Sequence, residues 1–356
     1  MQKTKSVLEE TGLPYTQVKK HPAVSVIITT KNEEKNIKNC LRSIENQTFK
    51  STEIIVVDNF SEDKTAEIAK KYTSKVYFKG NERSSQRNYG AQVANGEYLL
   101  YLDADMFLSP TVIKECVEKC EFDKVDALYV PERIVGDGFW IKVRDFERSF
   151  YTGTVVDAVR FIRKDLFERV EGFDESLIGP EDWDFDRRIR KYGRTGIINT
   201  ALYHNEGLFN MERYLKKKNY YSNGIKNYVR KWGPNDPETT RQIGVWYRLM
   251  GVFVEKGKWK KLVRHPIYMI AMYCLRLRVA AGYLQSMKSQ KIEQNASGVF
   301  QSTHSKSDRL TNISKFSEHF SKRGNSITRM GNCTKTLIFN GNIRIWANKG
   351  QGRGFL

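Results

Sequence analysis

Asp103 and Asp105 close an apolar run, Tyr98-Leu99-Leu100-Tyr101-Leu102, launched from Asn95-Gly96. Two carboxylates two residues apart point to the same side of an extended chain. At the carboxyl edge of a parallel sheet, such a pair can hold a hard divalent cation against a diphosphate. A second acidic pair, Glu181-Asp182, opens a helical segment in which Trp183, Phe185 and Ile189 can pack inward. A carboxylate at a helix N-terminus is stabilised in its charged form. Either pair alone also fits a solvated strand end or an acidic helix start. The elements around them must decide.

Val24 to Thr30 is a near-continuous β-branched run, the mark of a strand buried on both faces. Ile37, Cys40, Leu41 and Ile44 follow at helical spacing. A second strand runs from Glu53 to Asp58-Asn59. Ser61 is placed to cap a helix carrying Ala66, Ile68 and Ala69. A third strand covers Val76 to Phe78, and a helix covers about Ser84 to Val93, before the Asp103 strand. A last strand is expected over Ile197 to Tyr203, ending at His204. Strand–helix alternation implies a parallel, right-handed α/β sheet. Ligands bind such sheets beyond the carboxyl ends of the strands, where Thr29, Asp58 and Asp103 all fall.

Five segments in this order resemble a family 2 glycosyltransferase. They are Val24 to Asn32, Val56 to Ser61, Ser85-Gln86-Arg87-Asn88 with Gly90, Leu102 to Asp105, and Gly179-Pro180-Glu181-Asp182-Trp183. The resemblance covers roughly residues 22 to 206. It implies a GT-A fold, a Rossmann-like and mostly parallel α/β sheet flanked by helices. It further implies that Thr29, Thr30, Asn32, Glu33, Asp58, Asn59, Arg87 and Asp103 bind a nucleotide-sugar donor. Asn59 stands where the family often has an aspartate. Its amide can accept and also donate, which leaves the base of the donor open. Asp105, with Asp103 and His204, would hold Mn²⁺ or Mg²⁺. Asp182 would be the base that deprotonates the acceptor, with Glu181 as its orienting neighbour or its alternative.

Composition bounds the remainder. The 356 residues include five cysteines with neither zinc spacing nor a disulfide framework. Cys116 and Cys120 can share a helix face, which suits packing. A reducing compartment fits, and the N-terminus has no apolar signal-like core. Net charge is +19, unevenly spread. Residues 1–206 hold 32 Lys+Arg against 34 Asp+Glu, residues 207–290 hold 17 against 4, and residues 291–356 hold 11 against 3. The basic excess is therefore all C-terminal.

Residues 207–290 read as basic helices interleaved with aromatics, broken at Pro234 and Pro237 and restarting near Thr239. Their longest uncharged stretch, Pro266 to Leu275, is ten residues, too short to cross a bilayer. Basic, aromatic and amphipathic together suggest helices lying in an anionic membrane interface. No nucleic-acid reader motif is visible, and nucleic acid is not an expected partner. Residues 137 to 151, rich in aromatics, fall where a GT-A enzyme builds its acceptor side, or in the core. Residues 1–21 look peripheral. Residues 291–356 read as a disordered tail in which Thr336 to Phe339 and Ile343 to Trp346 can pair.

The expectation is an inverting, metal-dependent glycosyltransferase, peripheral to the cytoplasmic membrane face, acting on a lipid-linked glycan or polyprenyl- or dolichyl-type phosphate. The alternatives are a nucleotidyltransferase, which would want a Gly-rich phosphate loop with a lysine after the first strand, and a non-catalytic basic nucleic-acid-binding protein.

Overall fold

The computed structural model describes residues 23–222, 224–282, 338–339 and 342–343. The expectations for residues 1–21 and for most of 291–356 lie outside the described residues. Within the tail, Ile338–Phe339 pairs antiparallel with Asn342–Ile343, and the rest of the expected pairing lies outside the described residues.

A seven-stranded sheet is the centre of the first compact unit. Its strands are β1 (Val24–Thr30), β2 (Thr52–Asp58), β3 (Val76–Phe78), β4 (Tyr98–Asp103), β6 (Ala127–Tyr129), β8 (Val159–Arg163) and β9 (Thr195–Ile197), in the order β3-β2-β1-β4-β8-β6-β9. β1 is parallel to β2 and β4, and β2 to β3. Only β8 runs against its neighbours. The sheet is mostly parallel, as the strand–helix alternation requires. β1 is buried along all seven residues. Val24, Val26 and Ile28 pack on one face, toward α1 (Ile37–Glu45) and α4 (Val112–Asp123); Cys116 and Cys120 are buried there too. Ile27 faces the other side, packing with Ile55, Leu99, Tyr101 and Phe185. That alternation is why the strand reads as continuously apolar.

A second sheet has β5 (Met106–Leu108), β10 (Leu202–Leu208) and β7 (Glu132–Asp137), in the order β5-β10-β7. Here the expected strand over Ile197 to Tyr203 divides in two. β9 ends at Ile197 in the main sheet. The carboxylate of Glu115 accepts from the backbone N–H groups of Asn199 and Thr200, holding the chain in a turn. The chain then enters the second sheet, so His204 lies inside β10 and pairs with Met106 and Ile134.

Two helix starts also shift. Ser61 does not cap α2 (Thr65–Ala69), whose N-cap position is Lys64. Its Oγ instead accepts from Asn32 N at 2.8 Å. The helix after Pro234 is Pro237–Ile243, with Asp236 accepting from Thr239 N, because proline suits a first helical turn. α5 (Phe139–Arg148) carries the expected aromatics. Phe146 and Phe150 are buried against Phe253, Leu262 and Met272 of the C-terminal helices, so this segment is largely core.

Candidate functional site

Register places the first group of side chains. Thr29 pairs with Asp103 and Thr30 with Asp58, so three strand ends finish level. Thr29 Oγ1 donates to Asp103 Oδ1 at 3.0 Å. Gln86, from α3 (Arg83–Val93), donates its side-chain amide to the carbonyls of Thr30 and Val57, fastening the helix over the ends of β1 and β2. Beyond these ends lies a cavity of about 410 Å³. Thr29, Thr30, Glu33, Asn59, Asp103, Asp105 and His204 line it, as do Arg83, Lys217, Tyr220 and Tyr221.

Asn32, Asp58 and Arg87 do not line that cavity. Asn32 has φ 53° and holds two loops together, its Oδ1 accepting from Glu62 N at 2.9 Å. Asp58 is fully buried, and its Oδ1 accepts from Ser61 N at 2.7 Å. Arg87 is 1% exposed. It donates through Nη1 to Asp182 Oδ1 at 2.8 Å and through Nη2 to Asp103 Oδ1 at 3.3 Å. The guanidinium thus bridges the strand carboxylate and the helix carboxylate. Arg83 repeats the pattern one turn earlier, donating to Glu181 Oε1 at 2.9 Å with Nη1 3.7 Å from Asp103.

Glu181 and Asp182 begin α7 (Glu181–Tyr192), and they differ. The Glu181 side chain is 3% exposed, and the Asp182 side chain 24%. Burial and the charge of Asp182 raise the Glu181 carboxyl above its ordinary value. Burial also pushes on Asp182, but Arg87, Arg160 and Arg83 outweigh it and hold that carboxyl down. Two adjacent carboxylates are thus driven apart in proton affinity, a pattern typical of acid–base sites.

The second sheet delivers the remaining group. Asn205 N donates to Asp105 O at 2.8 Å, locking β10 beside the strand end that carries Asp105. His204 Nε2 then lies 3.0 Å from Asp105 Oδ2, and its Nδ1 lies 3.1 Å from Glu132 Oε1. Burial alone would depress the imidazole, but the two carboxylates outweigh it and raise it to about 10. Among the described residues, no three His, Cys, Asp or Glu side chains converge on one metal-sized point. Asp103 turns to arginines while Asp105 turns to His204. Asp105 Oδ1 is nonetheless buried with no hydrogen-bond partner. A buried acceptor without a donor is costly, and a cation satisfies it. The donor set of carboxylate and imidazole fits Mn²⁺.

Glu132, Arg160, Arg83 and Gln86 were not legible as site residues. Glu132 is 6% exposed at the start of β7 and also accepts from Arg148 and Arg160. Arg83 and Gln86 lie in or beside the Ser-Gln-Arg-Asn segment, and helical spacing from Arg87 would have found Arg83.

Residues 25–170 match the model of glycosyl transferase family 2. The uncharacterized glycosyltransferase EpsJ of Bacillus subtilis is 28% identical over 216 residues, 51% of this chain and 60% of that protein. The uncharacterized glycosyltransferase MJ1057 of Methanocaldococcus jannaschii is 30% identical over 184 residues, 46% and 63% of the two chains. The chain thus spans about three-fifths of the length of these relatives. Among solved structures, the mannosyltransferase PcManGT of Pyrobaculum calidifontis, in complex with GDP-Man and Mn²⁺, superposes with a TM-score of 0.52 at 16% identity, covering 74% of this chain and 87% of that one. That likeness concerns the fold. The family model is thus matched over residues 25–170, about two-fifths of the chain, and the matched segments lie along a sheet of the same fold as that mannosyltransferase; over this stretch the chain resembles glycosyl transferase family 2.

Proposed function

We propose that this protein transfers a sugar, with inversion, from a nucleotide-diphosphate donor to an acceptor hydroxyl or phosphate, in a divalent-cation-dependent reaction. One observation carries this reading. Asp103 is shared between the donor cavity and an arginine bridge whose far end is Asp182. Donor binding and proton removal are thereby held in one rigid frame. Asp105 and His204 would hold the cation, with Asp103 beside them. When bound, it neutralises charge on the departing nucleoside diphosphate.

The chain's own residues do the rest. Thr29, Thr30, Glu33 and Asn59 shape the donor pocket, and Arg83 and Lys217 bring positive charge to the diphosphate side. Asp182 is the base. Arg87 keeps it ionised, and its accessible surface lets an acceptor hydroxyl approach where Glu181 does not. The acceptor is lipid-linked and met at the cytoplasmic membrane face. The helices near 259–277 support that part. Trp259, Val263, Ile267, Ile270 and Leu277 are exposed at 49–70%, with Lys260, Arg264 and Arg278 among them.

Thermal shifts with a panel of nucleoside diphosphates, with and without Mn²⁺, test the reading. Asp105→Ala should abolish the Mn²⁺-dependent stabilisation while the protein stays folded. An unchanged Mn²⁺ effect in that variant removes Asp105 from the site. Asp182→Asn should keep nucleotide binding and lower kcat by about 10²–10⁴-fold. Normal turnover by Asp182→Asn with loss in Glu181→Gln moves the base to Glu181.

A further inference from the structure

A second cavity of about 940 Å³ adjoins the donor cavity, large enough for a drug-sized ligand. Its walls come from β5, β7, β10 and α5, and from α8 (Met211–Ser222), which lies across them. Besides Lys35 and His204, six cationic side chains line it, and they fall into two kinds. Arg83, Arg144 and Arg160 are each paired with carboxylates. Arg213, Lys217 and Lys218 are not. Among the described residues, the side chains of these three make no ion pair or hydrogen bond. Arg213 and Lys217 are one helical turn apart, Lys218 follows Lys217, and all three line the cavity.

Lys218 is the most constrained of the three. Its Nζ lies 5.4 Å from the Tyr214 ring centroid, and the Arg144 guanidinium lies 4.8 Å from the same ring. Glu33, Asp103, Asp105, Glu132 and Glu206 also line the cavity, but none of them is ion-paired with Arg213, Lys217 or Lys218, and cations left without direct ion pairs favour an anion beside them. Lys217 also lines the donor cavity, whereas Arg213, Lys218, Tyr214 and Arg144 line only the second. The second cavity thus opens from the donor cavity, sharing Asp103, Asp105, His204 and Lys217 with it, and extends beyond it toward Arg213 and Lys218. A lysine and an arginine lining one cavity suit an anion with several charged oxygens.

We propose that this second cavity seats a phosphate group carried by the acceptor, bound by Arg213 and Lys218 of α8. The proposal rests on the glycosyltransferase reading of the adjoining site, and the test separates the two. The full chain is first saturated with Mn²⁺ and the nucleoside diphosphate that stabilises it, which closes the donor cavity to phosphate. Titration calorimetry then compares farnesyl phosphate with farnesol, and glycerol 3-phosphate with glycerol. Each phosphate should bind at least tenfold more tightly than its alcohol. Lys218→Gln and Arg213→Gln should each weaken phosphate binding about tenfold, the usual worth of a charged hydrogen bond, while Lys218→Arg retains it. Nucleoside diphosphate binding should not change. Preference for farnesyl phosphate assigns a lipid source, and preference for glycerol 3-phosphate a polyol one.

Equal binding of phosphates and alcohols overturns the proposal, as does equal loss of nucleotide binding in both glutamine variants. If no nucleoside diphosphate binds the wild-type chain, the glycosyltransferase reading fails. Phosphate binding that depends on Lys218 would then still support the anion site.

Discussion

Arg87 donates to two carboxylates that lie 16 and 95 residues away in the chain. Buried at 1% exposure, it is also 5.0 Å from the Phe173 ring centroid. Desolvation opposes its charge, but Asp182 and Asp103 more than offset this and raise its pKa. Removing one member of such a pair leaves uncompensated buried charge. Arg87→Ala should therefore cost about 3–5 kcal/mol, read from the denaturant midpoint. Arg87→Lys should recover only part of this, because an ammonium lacks the fork that spans both carboxylates. A loss below about 1 kcal/mol for the alanine variant would mean that water already solvates Asp103 and Asp182. The donor-site expectation for Arg87 also changes at this scale. Its position makes it the residue that positions Asp182, with Arg83 at the cavity wall.

At the scale of elements, the C-terminal helices are fastened to the loop before Glu181 and to α5. The first is backbone contact. A Cβ on Gly224, just after α8, would sit 1.7 Å from the Ile178 carbonyl oxygen. That oxygen belongs to the loop leading into Glu181-Asp182. Gly224→Ala must push α8 away from this loop, costing about 1–3 kcal/mol and lowering turnover. A variant with unchanged stability and kcat would show that the junction yields freely. The second is a charge cluster. Arg276, in the helical stretch 266–282, donates to Glu147 of α5 and to Tyr151. Burial presses the Glu147 carboxyl upward, but Arg144 and Arg276 outweigh it and hold it at about 2. A carboxyl depressed on folding contributes stability above its unfolded value, and loses it as pH falls toward its folded value. Wild-type stability should thus decline between about pH 4.5 and 2. Arg276→Met should be less stable near neutrality and show a shallower acid limb. Parallel acid limbs in the two proteins would dissociate Arg276 from Glu147.

For the whole molecule, a near-neutral segment over 1–206 is followed by a +13 segment over 207–290, and the proposed membrane contact rests on the second. Among the described residues no helix is long and apolar enough to cross a membrane. The C-terminal helices are not a detachable appendage, however. Leu262, Met272 and Leu275 are 5% exposed or less, and Leu262 and Met272 cluster with Phe146 of α5. Within the uncharged stretch Pro266 to Leu275, Met272 is core while Ile267 and Ile270 are exposed. A cut near residue 257 would therefore strip a core rather than release a membrane-bound domain. Surface substitutions are the cleaner test. Binding to anionic vesicles should weaken with salt, each basic residue near the surface contributing about 1 kcal/mol. It should fall further in an Ile267→Ser, Ile270→Ser double variant that melts like the wild type. Full solubility of the wild type beside anionic vesicles at low salt would end the membrane reading.

Local pattern determined the central sheet. The β-branched run of Val24 to Thr30 and the apolar run of Tyr98 to Leu102 could bury both faces only as inner strands, so their polar ends had to meet at one edge. Asp103, Asp105 and the Glu181-Asp182 pair were legible for the same reason: each sits at the end of a strongly periodic element. Tertiary structure alone decided which residues meet there. His204 reaches Asp105 because the chain turns at Glu115 and leaves the main sheet for another, an event with no signature within Ile197 to Tyr203. Arg87 is buried rather than at the cavity wall because carboxylates from two distant elements close over it. The C-terminal helices show which apolar residues are core only when packed, since an amphipathic pattern records periodicity and not the partner that covers it. Register, burial and long-range charge pairing are properties of the assembled fold, and they decided the geometry of this site.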